Sequence, residues 1–351
     1  MKKPFVVLID TNILIYDTKL LKTSFSAAVF YVLKKKNGKI GMPEVLEYEL
    51  KKHLQKHIMD AIEGINKGYR DLESLMGYRD DYKVPKDEEV EKRFTERMEE
   101  IKEYTIPMSF TIEHAKAALK RVIDEIPPNS IKNQQFKDSV IWESLLEYSQ
   151  EHDVYFITKD KGFFEERQPD KGLAKPLKKE IEGKNIKVYY KELSRFLDFF
   201  KDKIPPLDND KIASIIFEAL KEPFKNFCEE HSYEVRNLNE YIIEPYLTEE
   251  PSIIAIDYEL CVNVLQIDES TTEQIEAHGI IRGNTTFNLD NDILGSTPLS
   301  RVEGFFDLEG KRLRGGLYVH TTDIGSRKIY HKFKEPMPFT NITNTWERKK
   351  E

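Results

Sequence analysis

The sequence predicts an α/β fold in which a parallel sheet flanked by helices is followed by a smaller, antiparallel α+β domain. Three observations predict it. The chain opens on an apolar run, Phe5 to Ile9, that stops abruptly at Asp10, the pattern of a strand buried on both faces of a parallel sheet. Amphipathic helical stretches and short apolar strands then alternate as far as residue 200, the order of βαβ units. Beyond residue 250 the pattern changes. Ile254, Ile256, Tyr258, Leu260, Val262 and Val264 recur at every second position, as in a strand with one face in the core.

A chain of 351 residues exceeds the usual single compact domain, and Pro205-Pro206 divides it into an expected 1–204 and 205–351. No apolar run approaches bilayer-spanning length, and Asp10 interrupts the first strand too early for a signal-peptide core. A cytoplasmic protein with no membrane contact is therefore expected. Cys228 and Cys261 are the two cysteines, in no metal-like spacing, and read as core residues. The net charge of −8 argues against a surface coated for nucleic acid. Its distribution is uneven: residues 1–200 carry 36 Lys+Arg against 35 Asp+Glu, and residues 201–351 carry 18 against 27. The first part is thus balanced enough to present a local basic patch.

After Asp10, Phe25 to Lys36 is an expected helix closed by Asn37-Gly38, and Lys39 to Met42 a short strand. Pro43 opens a helix whose Leu46, Leu50, Leu54 and Ile58 form the buried stripe. Glu49 lies at the margin of that stripe, whereas Glu44 and Glu47 point more towards water. The charged stretch at about 59–110, broken by Gly64, Gly68, Gly77 and the turn Val84-Pro85-Lys86-Asp87, is expected to be an inserted helical arm. A helix from Ile112 to Ile126 ends at Pro127-Pro128. A polar loop then leads into the helix Asp138 to Tyr148, where Ile141, Trp142 and Leu145 put Asp138 on the core-facing side. An aspartate there also suits a helix N-cap. Val154 to Thr158 is a second apolar strand, followed by Asp160 as the first is by Asp10. Ile186 to Tyr190 and a helix from Ser194 to Phe200 complete the unit.

Asp10, Glu49, Asp138 and Asp160 can therefore meet at one carboxyl edge of a parallel sheet, where open α/β folds place their chemistry. Four carboxylates held together raise one another's proton affinity unless a cation is present. Mg²⁺ or Mn²⁺ meets that need, because hard divalent ions take carboxylate, water and phosphate oxygens. Such a site favours phosphodiester hydrolysis, in which a metal activates water and stabilises the leaving oxygen.

Four segments carry a family resemblance. Leu8-Ile9-Asp10-Thr11-Asn12, Pro43-Glu44-Val45-Leu46-Glu47-Tyr48-Glu49-Leu50, Lys137-Asp138-Ser139-Val140-Ile141-Trp142-Glu143 and Ile157-Thr158-Lys159-Asp160-Lys161-Gly162-Phe163 resemble, in order, the four acidic motifs of PIN-domain nucleases. The resemblance spans about residues 4–200 and is nearest to large bacterial PIN proteins with a helical insertion before the third motif, here with an extra C-terminal domain. It implies a metal-dependent endonuclease, most often acting on RNA, with Asp10, Glu49, Asp138 and Asp160 as metal-binding and catalytic quartet. It further implies that Asn12 supports the Asp10 carboxylate and that Thr158 shapes the site. The second motif offers Glu47 as well as Glu49. The Glu-Leu pair of the family and the helical stripe both favour Glu49. Lys132, Lys137, Lys159 and Lys161 flank the site in sequence, and cations there would position a phosphate backbone without reading its sequence.

In the C-terminal part, a helix from Asp210 to His231, bent or broken by Pro223, precedes strands at Ile254 to Val264, Glu276 to Leu289, Arg301 to Leu308, Leu313 to Thr321 and Lys328 to Phe333, which turn signals at Arg282-Gly283-Asn284, Glu309-Gly310 and Ile324-Gly325 separate or bend. His278, His320 and His331 are too far apart in sequence to argue for a metal site. Oligomerisation, autoinhibition, or sensing of a ligand or regulatory protein are the candidate roles. The leading expectation is an RNA-cutting, toxin-like or phage-defence effector. Cleavage of DNA or of a flap, and a catalytically silent scaffold that binds nucleic acid or protein, are the alternatives.

Overall fold

The computed structural model describes residues 4–77, 85–191, 193–204, 206–248, 250, 252–267, 274–295, 299–320 and 332–336. Val84, Pro205, the turn Ile324-Gly325, the start of the strand at Lys328 and His331 lie outside the described residues. The chain divides into two compact units, residues 1–21 with 32–200, and residues 22–31 with 201–351.

The first unit is built on a five-stranded parallel sheet. In chain order its elements are β1 (Val6–Ile9), the end of α1 (Ser24–Lys36, of which residues 32–36 belong here), β2 (Lys39–Pro43), α2 (Glu44–Met76), α3 (Asp87–Glu100), β3 (Thr105–Met108), α4 (Ile112–Ile123), α5 (Phe136–Tyr148), β4 (Val154–Thr158), α6 (Lys175–Glu180), β5 (Ile186–Tyr190) and α7 (Leu193–Lys201). The strand order is β3-β2-β1-β4-β5, so the chain builds outward on one side of β1 and then crosses to the other. All four residues of β1 are buried, and β4 is buried along its whole length, because helices cover both faces of the sheet. In register, Ile9 lies opposite Ile157. The carboxyl ends of β1 and β4 thus lie side by side where the strand order reverses, the place where open α/β sheets form a crevice.

The expected helical arm differs in two respects. Helix α2 runs unbroken through Gly64 and Gly68 for 33 residues and ends at Gly77, whose φ of 77° is the left-handed conformation that closes a helix. Each internal glycine costs about 1 kcal/mol relative to alanine, which a helix of this length, anchored by buried Leu46, Leu50 and Ile62, absorbs. Residues 105–108, inside the stretch read as an insertion, form β3 and pair in parallel with β2.

The second unit sets the helix Asn209–Glu229 against an antiparallel sheet. It comprises α8 (Asn209–Glu229), β6 (Tyr233–Thr248), β7 (Ile253–Ile267), β8 (Gln274–Asn288), β9 (Ile293–Leu294), β10 (Leu299–Phe306), β11 (Arg312–His320) and β12 (Lys332–Pro336). The order is β11-β10-β8-β7-β6-β12, with β9 on β8. β6 is absent from the sequence reading. Helix α8 continues through Pro223, contrary to the expected bend or break. The aromatic residues beyond the proline hold it: Phe224 and Phe227 are buried, and Phe227 stacks on Phe305 of β10 at 5.9 Å. A Cβ at Gly279 would lie 2.7 Å from the Phe224 ring, so β8 carries glycine where the helix approaches closest.

Candidate active site

Asp10 follows β1 directly, and its carboxylate is tied down on both oxygens. Oδ1 accepts the backbone N–H of Asn12 at 3.0 Å. Oδ2 accepts the Thr158 hydroxyl at 2.8 Å and the Lys159 N–H at 3.1 Å. Asn12 therefore supports Asp10 through its main chain, and its side chain is exposed. Thr158, at the end of β4, is wholly buried, and its oxygen also accepts the Asp160 N–H at 2.9 Å. One hydroxyl thus fixes the spacing of two aspartates on adjacent strand ends.

Asp160 is oriented from two sides. Its Oδ1 accepts the Gly162 N–H at 2.7 Å, and Oδ2 accepts the Gln135 amide. Gly162 is needed here, since a Cβ would come within 2.4 Å of Gln135 Oε1 and 2.8 Å of the Pro128 carbonyl. Gln135 caps α5, so Asp138 lies in the first turn and is not the N-cap. Glu49 reaches inward from the second turn of α2 with 19 % of its side chain exposed. It accepts the Thr11 hydroxyl at 3.2 Å and pairs with Lys137. Glu47, two residues before it, is exposed.

Three of the carboxylates act on the fourth. Burial, and then the charges of Asp160, Asp10 and Glu49, push the Asp138 carboxyl up to about 7, against a lowering by Lys137. The charges of three separate acids are thus felt at Asp138. Among the described residues, no group of three or more His, Cys, Asp or Glu side chains is arranged to enclose a metal ion; Glu49 is turned onto Thr11 and Lys137, and Asp160 onto Gln135. The donor set is carboxylate oxygen throughout, the type that Mg²⁺ and Mn²⁺ take with one or two carboxylates completed by water.

The four lysines separate. Lys137 is on Glu49 and Lys159 on Asp17. Lys132 is exposed at the tip of the turn Ser130–Asn133, and Lys161 is exposed beside Asp160.

Residues 7–163 match the family described as PIN domain. Residues 7–163 are a PIN domain. No curated protein and no solved structure matches the chain. The family is a nuclease-type fold whose members are generally metal-dependent. In this PIN domain two site residues have partners that escape sequence reasoning, Thr11 on Glu49 and Gln135 on Asp160. Thr11 is distinguishable only by following Asp10 directly, and Gln135 by its place in the polar loop before α5. Among the described residues, no helix is long and apolar enough to cross a membrane.

Proposed function

We propose that the PIN domain is a Mg²⁺- or Mn²⁺-dependent endoribonuclease acting in the cytoplasm, with Asp10, Glu49, Asp138 and Asp160 holding the ion. The observation that carries this reading is the proton affinity of Asp138, raised by burial and then by three other acids, a cost of ionisation that a divalent cation offsets. A bound divalent ion supplies an activated water and stabilises charge on the leaving oxygen. The chain's own groups hold the geometry. Asp10 is immobilised through Thr158, Lys159 and Asn12, so its carboxylate keeps one orientation as the strand end meets substrate. Gln135 and the Gly162 N–H aim Asp160. Asp138 carries a proton while the cluster is unneutralised and releases it when positive charge enters. Lys137 is paired with Glu49 and offsets part of the cluster's negative charge.

The test is incubation of single-stranded RNA, and of single- and double-stranded DNA of the same sequence, with the full chain and Mn²⁺. Internal cleavage of RNA is expected, and Asp10→Asn or Asp138→Asn should lower the rate by at least about 10²-fold, in line with loss of a metal-organising group. RNA cleavage by either variant at the wild-type rate would refute the assignment, and cleavage of DNA alone would move the substrate to DNA.

A further inference from the structure

We propose that Arg167, with Lys132 beside it, forms a binding site for a backbone phosphate at the rim of the carboxylate cluster. The proposal rests on the nuclease reading above and adds to it where the strand outside the scissile position is held.

Arg167 stands on the loop that follows Asp160. An antiparallel bridge between Phe164 and Leu173 closes this loop, with Glu165 N–H donating to the Gly172 carbonyl at 2.9 Å and Ala174 N–H to Phe163 at 3.0 Å. Glu166 and Arg167 are both left-handed, with φ of 50° and 58°, a backbone cost the closed loop sustains. It directs Arg167 across to the segment before α5. There Nη2 lies 3.5 Å from the Pro128 carbonyl, the Ser130 hydroxyl and Gln135 Oε1. With its amide oxygen turned towards the guanidinium, Asn133 accepts from both terminal nitrogens at 3.3 and 3.2 Å. Gln135 in turn donates to Asp160, so the guanidinium is one side chain away from the acidic cluster.

Every one of these partners is neutral. They aim the guanidinium without compensating its charge. Two acids of the same loop are engaged by other cations, Glu166 with Lys171 and Glu165 with Lys175 at 3.7 Å. Among the described residues no carboxylate pairs with Arg167. Lys137 and Lys159, by contrast, are already on Glu49 and Asp17. Next to Arg167, Ser130 and Asn133 exchange two backbone hydrogen bonds of 3.0 Å, a tight turn that presents Ile131 and Lys132 at its tip. An oriented, uncompensated guanidinium is the group best matched to a phosphate, which it can grip through two parallel N–H bonds. A structural arginine of the loop would be expected to pair with the acids within reach, and this one does not.

The experiment measures binding of a short fluorescent single-stranded RNA to the full chain, with Ca²⁺ in place of Mg²⁺, as a function of salt. Arg167→Ala and Arg167→Gln should each weaken binding about tenfold at low salt and reduce the slope of log K against log salt by about 1. Arg167→Lys, which keeps the charge and loses the fork, should restore most of the slope and part of the affinity. Thermal melting of each variant reads the fold. Wild-type affinity and slope in Arg167→Ala and Arg167→Gln, or full binding by Arg167→Gln where Arg167→Ala fails, would overturn the phosphate site while leaving the nuclease reading intact. A wild-type chain that neither binds nor cuts any polynucleotide would overturn the nuclease reading and this site with it.

Discussion

Thr158 has one hydroxyl and two tasks, donation to Asp10 at 2.8 Å and acceptance from the Asp160 N–H at 2.9 Å. Valine has nearly the same shape and neither capability. Thr158→Val therefore leaves a buried N–H without a partner, which costs about 1–3 kcal/mol, and frees the Asp10 carboxylate. A fall in melting temperature together with a loss of cleavage is expected, while Thr158→Ser, which keeps the hydroxyl, should retain most of both. Equal activity in Thr158→Val and wild type would show that Asp10 holds its place without the bond. At this scale the acids are legible in the chain because a carboxylate at the end of an apolar strand is conspicuous. Their partners are not. The Thr11 hydroxyl meets Glu49 across 38 residues and Gln135 meets Asp160 across 25, and no local pattern records where a helix or loop returns to a strand end.

Helices α4, α5 and α6 are joined by charge buried between them. Arg121 of α4 is 6 % exposed. It pairs with Glu143 of α5 and, at 2.6 Å, with Glu180 of α6, while Trp142 Nε1 donates to Glu180 at 2.8 Å. Removing one partner strands the others, so Arg121→Ala should destabilise the protein by roughly 3–5 kcal/mol, read as a drop in the urea midpoint with the slope unchanged. The urea midpoint of the wild type in this variant would show that water replaces the guanidinium. This network also explains why Glu143, close in sequence to Asp138, belongs to the scaffold and not to the site. Which elements could be anticipated follows from how regular their patterns are. β7 alternates cleanly and is plain in the sequence. β6 beside it shifts register between Val235 and Leu238 and again between Leu238 and Glu240. Two bulges in succession break the period of two on which strand recognition depends. β3 is hidden by its shortness, its four residues set between charged helices, whereas α8 is legible and only its continuity through Pro223, which tertiary packing sustains, is not.

For the whole molecule, the acid cluster makes folding depend on pH and on divalent ions together. An unfolded Asp138 titrates at 3.8, and in the folded chain the group titrates at about 7. Below the lower value it is protonated in both states and adds no pH dependence. Between the two, the folded chain holds a proton that the unfolded chain has released, so stability falls by about 1.4 kcal/mol per pH unit from this group. Above the higher value both states are ionised and the cost is fully present. A divalent cation favours the ionised cluster, and stabilises the folded chain by RT ln(1 + [L]/Kd). Two consequences can be measured by thermal melting of the full chain. Without metal, wild type should lose stability from the acidic side towards neutrality, whereas Asp138→Asn should show a flatter profile and melt higher above pH 7. With Mn²⁺, wild type should gain more at about pH 8 than at about pH 5.5, because protons no longer compete for the carboxylates. The variant, with one charge fewer, should gain less at both. Parallel pH profiles in wild type and variant would mean that Asp138 ionises freely in the folded chain, and a Mn²⁺ gain independent of pH would place the ion away from this cluster.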